Sequence, residues 1–509
     1  MSGPSFLIDT NVFIGLEDTR EVSPQFASIL QLAAKHGVAI CIHEVARDDI
    51  QRDRDEGRRR VSLSKIEKFR LIGRVRGLTT DQLAEQFGPV PKPNDIVDAT
   101  LLHALRIGVA DFLVTEDAGL HDRARRYASD LSRRVLFVAD AASLLRTTYE
   151  PVGVPVRFVE EVDANTIPGA DSIFDSLREG YPDFDAWWRE RCVRQQRKCW
   201  VVTDGTTLTG IVVRKDETRA DTTAKKPSDR ILKICTFKVR PESRGTKLGE
   251  LLLKQVLWFA QKNRYELVYL TTFHQQAALI DLLCYYGFEQ TNVASNGEIT
   301  FEKALSDEPV SPVNTSNLFA LDCREYPRFY AGPDITAYGI PIQEPYHDVL
   351  FPDLREPDLF EFGGIGGAPR TPGNTIRKVY LCRAQAMIDR PGALLFFYKS
   401  KSERLPSQAF TAVGIFEDMT LAESTEDLRR LAGGRSVYSE TQLERWQATS
   451  ARPVKVINFL LGGYFQPPMG LRELQRIGVL KGAPQSIFRI AETSLSQVLG
   501  RLDLGFRLQ

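Results

Sequence analysis

The 509-residue sequence lacks several features that mark secreted, membrane-spanning or coat-like proteins. Its seven cysteines are scattered without a Cys-x-x-Cys pair, and their odd number argues against a disulfide framework. No run approaches the ~20 apolar residues of a membrane span, and the first residues lack a signal-peptide pattern. Basic and acidic residues balance at 66 each, which excludes a uniformly basic nucleic-acid coat. We therefore expect a cytoplasmic protein without a membrane partner.

The length and the ordinary hydrophobic fraction of 43% predict three globular units. Residues 1–150 alternate apolar strands with amphipathic helices, which is typical of a parallel α/β sheet. Residues 156–305 mix strands and helices in a second α/β unit, and residues 317–509 contain β-type runs with helices, which predict a mixed β-barrel. Turn- and proline-rich segments with linker composition separate these units.

The first unit carries acidic residues at the ends of apolar segments. Asp9 and Asp117 each end an apolar strand, Glu44 follows another, and Asp95 and Asp98 begin a helix. Carboxyl ends of parallel strands share the edge of the sheet where α/β proteins place their chemistry. Carboxylates that converge there repel each other unless a cation is present, and oxygen ligands suit Mg²⁺ or Mn²⁺. The pattern predicts a metal site made of these five residues.

The order and spacing of the acids resemble the PIN domain, a metal-dependent nuclease fold, over residues 5–148. The resemblance implies that Asp9, Glu44, Asp98 and Asp117 are the catalytic acids, hold Mg²⁺ or Mn²⁺, and cut RNA or DNA. Asp95 is either a further metal ligand or the cap of its helix. A first unit that binds nucleic acid without cutting it remains an alternative.

A basic run, Arg58-Arg59-Arg60, lies in a segment with more basic than acidic residues. Arginine side chains bind the phosphates of nucleic acids, so this run is the candidate phosphate-binding surface. A solvated helix with mixed charges explains the same residues.

Residues 231–261 contain a strand, a glycine turn and a long amphipathic helix. Backbone amides of such a turn and helix N-terminus can hold a pyrophosphate. The turn Arg244-Gly245-Thr246-Lys247-Leu248-Gly249 resembles the acyl-CoA loop of GNAT acetyltransferases, Arg/Gln-x-x-Gly-x-Gly/Ala, with Lys247 where the first glycine is expected. A later strand, a helix and Gly287-Phe288 resemble the last motif of the family, so the resemblance covers about 156–304.

This resemblance implies acetyl-CoA as a cofactor. Its phosphates would lie on Arg244, Gly245, Thr246, Lys247, Leu248 and Gly249, and its pantetheine arm on the backbone of Phe237 and Val239. Many GNAT enzymes use a tyrosine four residues before the last glycine as the general acid, and here that position is Leu283. Tyr285 or Tyr286 would replace it, unless both pack in the core. The acceptor would lie near the aromatic segment 181–188, although such stripes are more often core.

The third unit contains Pro391-Gly392 before Phe396-Phe397-Tyr398, then Val413-Gly414-Ile415, then Pro484-Gln485-Ser486-Ile487. This order resembles PUA-like barrels of the EVE, ASCH and YTH kind, and implies a module that binds RNA or modified bases. A flipped base stacks on aromatic faces, so Tyr398 and Tyr464 are the first candidates, with a place in the barrel core as the alternative.

Together, these resemblances predict a multi-domain enzyme that combines a PIN ribonuclease, a GNAT N-acyltransferase and a PUA-like recognition module, a combination that suits a toxin-like or defence effector. The alternative is an acetyl-CoA-binding acetyltransferase or regulator whose flanking units only bind nucleic acid. Further expected partners are an unidentified acceptor and either an inhibitor protein or a second copy of the chain.

Overall fold

Three β-sheets organise the protein. The computed structural model describes residues 4–14, 24–51, 55–66, 69–73, 77–149, 157–312, 317–354, 370–373, 375–388, 390–432, 438 and 440–508. Within these residues, no helix is long and apolar enough to cross a membrane. All seven cysteines lie in the described part, and all are free thiols.

The first sheet consists of short parallel strands. They are β1 (Ser5–Ile8), β2 (Ala39–His43), β3 (Arg70–Ile72), β4 (Phe112–Val114) and β5 (Val135–Leu136). Their order is β3-β2-β1-β4-β5, and every neighbouring pair is parallel. The helices are α1 (Thr10–Ile14), α2 (Pro24–His36), α3 (Val45–Gln51), α4 (Glu56–Ile66), α5 (Thr80–Phe87), α6 (Pro93–Arg106), α7 (Ala118–Tyr127) and α8 (Val138–Tyr149). The predicted parallel α/β sheet is confirmed.

The central strand β1 shows why this sheet is buried on both faces. Phe6 and Ile8 belong to one apolar cluster, and Leu7 between them belongs to another. Because successive side chains of a strand point to opposite faces, helices cover both sides, as is usual for parallel sheets. The carboxyl ends of the strands therefore meet at one edge, where the acidic residues begin.

The second sheet is mostly antiparallel. Its strands are β6 (Arg157–Asp163), β7 (Lys198–Asp204), β8 (Thr207–Glu217), β9 (Ile231–Val239), β10 (Leu267–Thr272), β11 (Glu289–Val293) and β12 (Ile299–Ala304). Their order is β11-β12-β10-β9-β8-β7-β6, and the segment Arg370–Gly373 adds to the β6 edge. The helices are α9 (Asp175–Gly180), α10 (Phe184–Trp187), α11 (Leu248–Lys262) and α12 (Ala277–Tyr285), with a π-helix at Trp188–Val193.

The centre of the second sheet opens between β9 and β10. These strands are parallel, and their pairing ends at Ile234–Leu270. Beyond that point β9 continues to Val239 beside β8 only, with a register shift that leaves Cys235 as an extra residue. A bulge of this kind bends the strand. The edge of β9 that faces β10 is therefore unpaired over its last residues.

The third sheet is mixed. Its strands are β13 (Ala337–Ile342), β15 (Arg377–Cys382), β16 (Leu394–Lys399), β17 (Ala409–Ala422), β18 (Val454–Gly470) and β19 (Phe488–Arg489), while β14 is the segment Arg370–Gly373. The order is β15-β18-β17-β16-β13-β19, with β13 and β16 parallel. The helices are α13 (Leu318–Glu325), α14 (Glu344–Leu350), α15 (Thr425–Ala432), α16 (Glu440–Arg445), α17 (Leu471–Arg476) and α18 (Glu492–Leu499). Closure into a barrel stays a prediction, because this order is linear among the described residues.

The second and third units share one hydrophobic core. A single apolar cluster joins Leu252 and Val256 of α11 to Phe396, Phe410 and Phe465 of the third sheet. Burial of apolar surface is the main favourable contribution to folding. We therefore expect these two units to unfold together.

Candidate functional site

Asp9 is fixed at the edge of the first sheet by groups from two strands. The Thr10 backbone N–H donates to Asp9 Oδ1 at 2.6 Å, and Thr115 Oγ1 donates to Asp9 Oδ2 at 2.6 Å. Asn11 Nδ2 in turn donates to Thr115 Oγ1 at 3.0 Å. Asp9 is only 6% exposed, so its carboxylate is held in place by these donors.

Asp98 shows that three of the predicted acids lie together. Burial, followed by the neighbouring carboxylates of Asp117 and Asp9, raises the pKa of its carboxyl group to about 7, while the Arg123 guanidinium opposes the rise. Asp117 also caps α7, because its Oδ1 accepts the Gly119 N–H at 2.7 Å. The structure thus brings Asp9, Asp98 and Asp117 to one place.

Asp95 and Glu44 have different surroundings. Asp95 Oδ2 accepts the Lys92 N–H at 2.9 Å, and its Oδ1 pairs with Arg123 at 2.7 Å, so it serves as a helix cap. Its negative charge also raises the pKa of Asp98, but it is the smallest of the contributions to that pKa. Glu44 is exposed at the end of β2, and its Oε1 lies 3.9 Å from where a Cβ of Gly73 would be. Glu44 is not among the charges that raise the pKa of Asp98.

The predicted Mg²⁺ or Mn²⁺ site has suitable oxygen atoms but no ready set of ligands. In the described part of the chain, no group of three or more histidine, cysteine, aspartate or glutamate side chains is placed to hold a metal ion. Oxygens of Asp9 and Asp117 are engaged by Thr10, Thr115 and Gly119. Metal binding by these carboxylates therefore stays a prediction.

The arginine run lies on α4. Arg60 is exposed and Arg59 is half-buried, and the side chain of Arg58 lies outside the described part. Neighbouring residues of a helix do not share a face, so the run does not form one flat phosphate-binding patch. Its role in nucleic-acid binding stays a prediction.

A cavity of about 450 Å³ lies where the first, second and third units meet. It is lined by seven of the predicted cofactor-binding residues: Phe237, Val239, Arg244, Gly245, Lys247, Leu248 and Gly249. Thr246 is turned away, because its Oγ1 donates to the Ser243 carbonyl at 2.5 Å and accepts from Arg157 at 2.9 Å. The cavity therefore combines the loop, the start of α11 and the free end of β9.

The loop turns as the glycine pattern requires although Lys247 replaces a glycine. Gly245 has a φ of +77°, and Lys247 has a φ of +63°. Residues with a Cβ seldom adopt this left-handed region, so Lys247 takes a conformation that glycine would reach more easily. A Cβ on Gly249 would lie 3.6 Å from Leu282 and 4.0 Å from Phe237, so a methyl group would fit there in ordinary van der Waals contact.

The wall opposite the loop comes from the first unit, which no sequence motif had indicated. It is formed by Asn11, Val12, Gln25, Phe26, Glu116, Phe137, Val138, Ala139 and Asp140. Lys247 Nζ lies 2.5 Å from Asp140 Oδ1. Burial and the Asp140 carboxylate raise the pKa of Glu116, while the Val138 N–H and Arg244 oppose the rise. Two cations of the loop thus face two acids of another unit.

The two candidate catalytic tyrosines, Tyr285 and Tyr286, have different surroundings in the structure. Tyr286 is fully buried, and its hydroxyl donates to Glu250 at 3.0 Å, so its assignment as a catalytic residue is wrong: the hydroxyl cannot reach a substrate. Tyr285 lines the cavity under the Arg377 guanidinium, 4.8 Å from its ring centroid. Burial raises the pKa of Tyr285 well above its ordinary value. Its hydroxyl therefore stays protonated and can donate a hydrogen bond.

One part of the chain matches the model of a known protein family. The model described as "Acetyltransferase (GNAT) family" matches residues 165–288. These residues form a GNAT acetyltransferase domain. They hold the loop, β9, α11 and α12 on one side of the cavity, which fits acetyl-CoA as a partner. No curated protein matches the sequence.

Several solved structures are similar to about a third of the chain. The ASCH protein from Zymomonas mobilis is 13% identical, with a TM-score of 0.24, and covers 33% of this chain and 96% of its own. The PaiA N-acetyltransferase from Thermoplasma acidophilum, in complex with coenzyme A, is 14% identical, with a TM-score of 0.24 and coverage of 30% and 99%. The IAA acetyltransferase from Bacillus cereus is 16% identical, with a TM-score of 0.23 and coverage of 29% and 99%. TM-scores this low do not establish function.

A half-buried carboxylate, that of Glu298, lies on the face of the second sheet opposite the cavity. Tyr181 donates its hydroxyl to Glu298 Oε1 at 2.6 Å, and Thr271 Oγ1 donates to the same atom at 2.7 Å. The Phe273 ring lies 5.6 Å from the Tyr181 ring. Glu298 Oε1 thus accepts hydrogen bonds from two neutral hydroxyl groups. No motif marked this residue, because its two hydrogen-bond partners come from separate segments that are distant from it in sequence.

In the third unit, the predicted stacking residues are part of the core. Tyr398 is 1% exposed, and Tyr464 is 7% exposed with its hydroxyl bonded to Asp353 at 2.8 Å. Their assignment as base-stacking residues is therefore wrong, because a base cannot reach either ring. A cavity of about 620 Å³ lies elsewhere, lined by Tyr346, Tyr380, Arg383 and Trp446 among others.

Proposed function

We propose that the chain is an acetyl-CoA-dependent N-acetyltransferase whose acceptor is a primary amine. The observation that carries this proposal is the opening between β9 and β10. The predicted cofactor cavity lies on one side of it, and Glu298 lies on the other face of the sheet beside Thr271. A thioester and an amine can thus approach the same opening from opposite sides.

The cofactor side suits a phosphorylated thiol ester. Arg244 and Lys247 supply positive charge, and the start of α11 supplies backbone N–H groups that favour anions. Phe237 and Val239 lie on the part of β9 that lacks a neighbour on the β10 side, so backbone groups there can bind an extended amide-containing arm. Bound acetyl-CoA would supply an acetyl group already activated for transfer.

The acceptor side suits a cation. Glu298 carries a negative charge in a half-buried place where Tyr181 and Thr271 orient it through hydrogen bonds. A buried carboxylate is favourable only when paired or well hydrogen-bonded, and an ammonium group would complete its partners. We infer that Glu298 binds and orients the amine and that Tyr181 positions the carboxylate.

Two further groups can handle protons. Burial lowers the pKa of Lys238 to about 8, so a fraction of its side chain is neutral near that pH and can accept a proton from the amine. Tyr285 is held in its protonated form and can donate to a departing thiolate. Both residues line the cavity.

The Glu298→Gln variant tests the acceptor side. It keeps the hydrogen-bond acceptor but removes the charge. We therefore expect kcat/KM for a primary amine to fall by about 100-fold, which is the effect of losing one charge-assisted hydrogen bond. The acetyl-CoA-induced rise in melting temperature should be unchanged. Glu289→Gln, a change at an exposed ion pair of the same domain, is the control. Equal activity in both variants would contradict the assignment.

A second candidate function belongs to the first unit. The observation that favours it is the proximity of Asp98 to Asp117 and Asp9, whose charges add to the effect of burial in raising the pKa of Asp98 to about 7. We propose cleavage of RNA or DNA by a PIN-like site made of Asp9, Asp98 and Asp117, with Mg²⁺ or Mn²⁺ as the ion to be tested. Cleavage that persists in EDTA would contradict this candidate, as would its persistence in the Asp9→Asn variant.

For the third unit we propose binding of a nucleobase in the cavity beside Trp446. Stacking on an aromatic ring contributes about 1–3 kcal/mol per base, so Trp446→Ala should weaken RNA binding by about tenfold, while Trp446→Phe should keep most of it. The full chain can be titrated with RNA that carries standard or modified bases at two salt concentrations. Binding that depends on salt alone, without base preference, would leave only phosphate attraction.

A further inference from the structure

The loop of the GNAT domain is in direct contact with the first turn of α8. Lys247 Nζ lies 2.5 Å from Asp140 Oδ1. A Cβ on Gly245 would lie 2.0 Å from the Ala139 carbonyl oxygen, so the two backbones touch. Gln25 donates to the Pro241 carbonyl just before the loop. The first unit therefore covers the loop.

Acyl-CoA must compete with this contact. Its phosphates carry several negative charges and would use the Lys247 ammonium group, which already pairs with Asp140. A carboxylate beside a phosphate disfavours the charged forms of both groups. The Ala139 carbonyl oxygen also points at the loop backbone, where N–H groups would face an anion. Binding therefore requires that Asp140 leave Lys247.

A chain of hydrogen bonds connects the same turn to the acidic site. The Val138 N–H donates to Glu116 Oε1 at 3.0 Å, and the Glu116 N–H donates to Asn11 Oδ1 at 3.2 Å. Asn11 Nδ2 donates to Thr115 Oγ1, which donates to Asp9 Oδ2 at 2.6 Å. Four hydrogen bonds thus connect the first turn of α8 to Asp9. A shift of that turn would be passed along them and would change the partners of Asp9.

We propose that the cavity is a composite acyl-CoA site in which the first unit acts as a ligand-sensitive cover, so that acyl-CoA binding controls the acidic site around Asp9. This inference rests on the proposed binding of acetyl-CoA at the loop. The coupling is reciprocal, because two ligands that bias one contact affect each other's affinity equally. A ligand of the acidic site therefore changes the affinity for acyl-CoA.

The Asp140→Asn variant tests the competition. Removal of the charge should increase the affinity for coenzyme A, measured by isothermal titration calorimetry on the full chain, by about fivefold or more, the usual size of such coupling. Asp130→Asn, at an exposed ion pair of the first unit with Arg106, is the matched control and should leave the affinity unchanged. Equal affinities in the Asp140→Asn variant and the parent protein would overturn the inference.

Hydrogen exchange with and without coenzyme A separates the inference from the function on which it rests. Coenzyme A should slow exchange in 244–249 and change it in 137–141 and 114–117 of the first unit. Slower exchange at the loop with an unchanged first unit would overturn the coupling and leave the proposed acetyl-CoA binding intact. No change anywhere, together with no heat of binding, would overturn both.

Discussion

Gly249→Glu is expected to abolish the rise in melting temperature that acetyl-CoA causes. Gly249 is the second residue of α11, and a Cβ there would meet Leu282 and Phe237 only at ordinary contact distances. The substitution should therefore leave the fold intact but place a negative charge where we propose that the phosphates bind. A native-state ligand at 100 times its Kd stabilises by about 2.7 kcal/mol, and this contribution should be lost.

Gly249→Ala is the matched control for size without charge. We expect it to keep most of the thermal shift, because the added methyl group has room. Differential scanning fluorimetry over a range of acetyl-CoA concentrations compares the three proteins. A full shift in Gly249→Glu would place the cofactor elsewhere, and no shift in the parent protein would indicate a GNAT fold that has lost its cofactor.

Asp98→Asn is expected to stabilise the protein at pH 8 and to have little effect near pH 4. In the folded chain the pKa of Asp98 is about 7, whereas an unfolded aspartate titrates near 4 (about 3.9). Below pH 4 the group is neutral in both states. Between these values only the folded state keeps the proton, so the free energy of unfolding falls as the pH rises and stays reduced above pH 7. Each pKa unit corresponds to about 1.4 kcal/mol.

Thermal denaturation of both proteins at pH 5 and pH 8 measures this difference. Asp122→Asn, which changes an exposed ion pair on α7, is the control and should show no such dependence on pH. Equal destabilisation of Asp98→Asn at both pH values would contradict the predicted repulsion. If Mg²⁺ or Mn²⁺ binds among these carboxylates, it should stabilise the parent protein more than Asp98→Asn.

Local patterns predicted much of the fold. The apolar run at Phe6–Ile8 specified a buried strand, and the strand, turn and helix around 231–261 specified the GNAT loop and α11. Both depend on periodicity and turn chemistry that neighbouring residues determine. The short strand β3 (Arg70–Ile72) cannot be predicted in this way, because three residues give too little pattern to distinguish a strand from a loop.

The sequence alone determined that carboxylates follow the strands of the first unit and that a glycine turn precedes α11, since both are properties of contiguous residues. Only the tertiary structure decided which distant groups meet. It turned Tyr286, Tyr398 and Tyr464 into the core, because burial depends on packing between elements far apart in sequence. It also placed Asp140 against Lys247, a pairing between residues more than one hundred positions apart that no local pattern encodes.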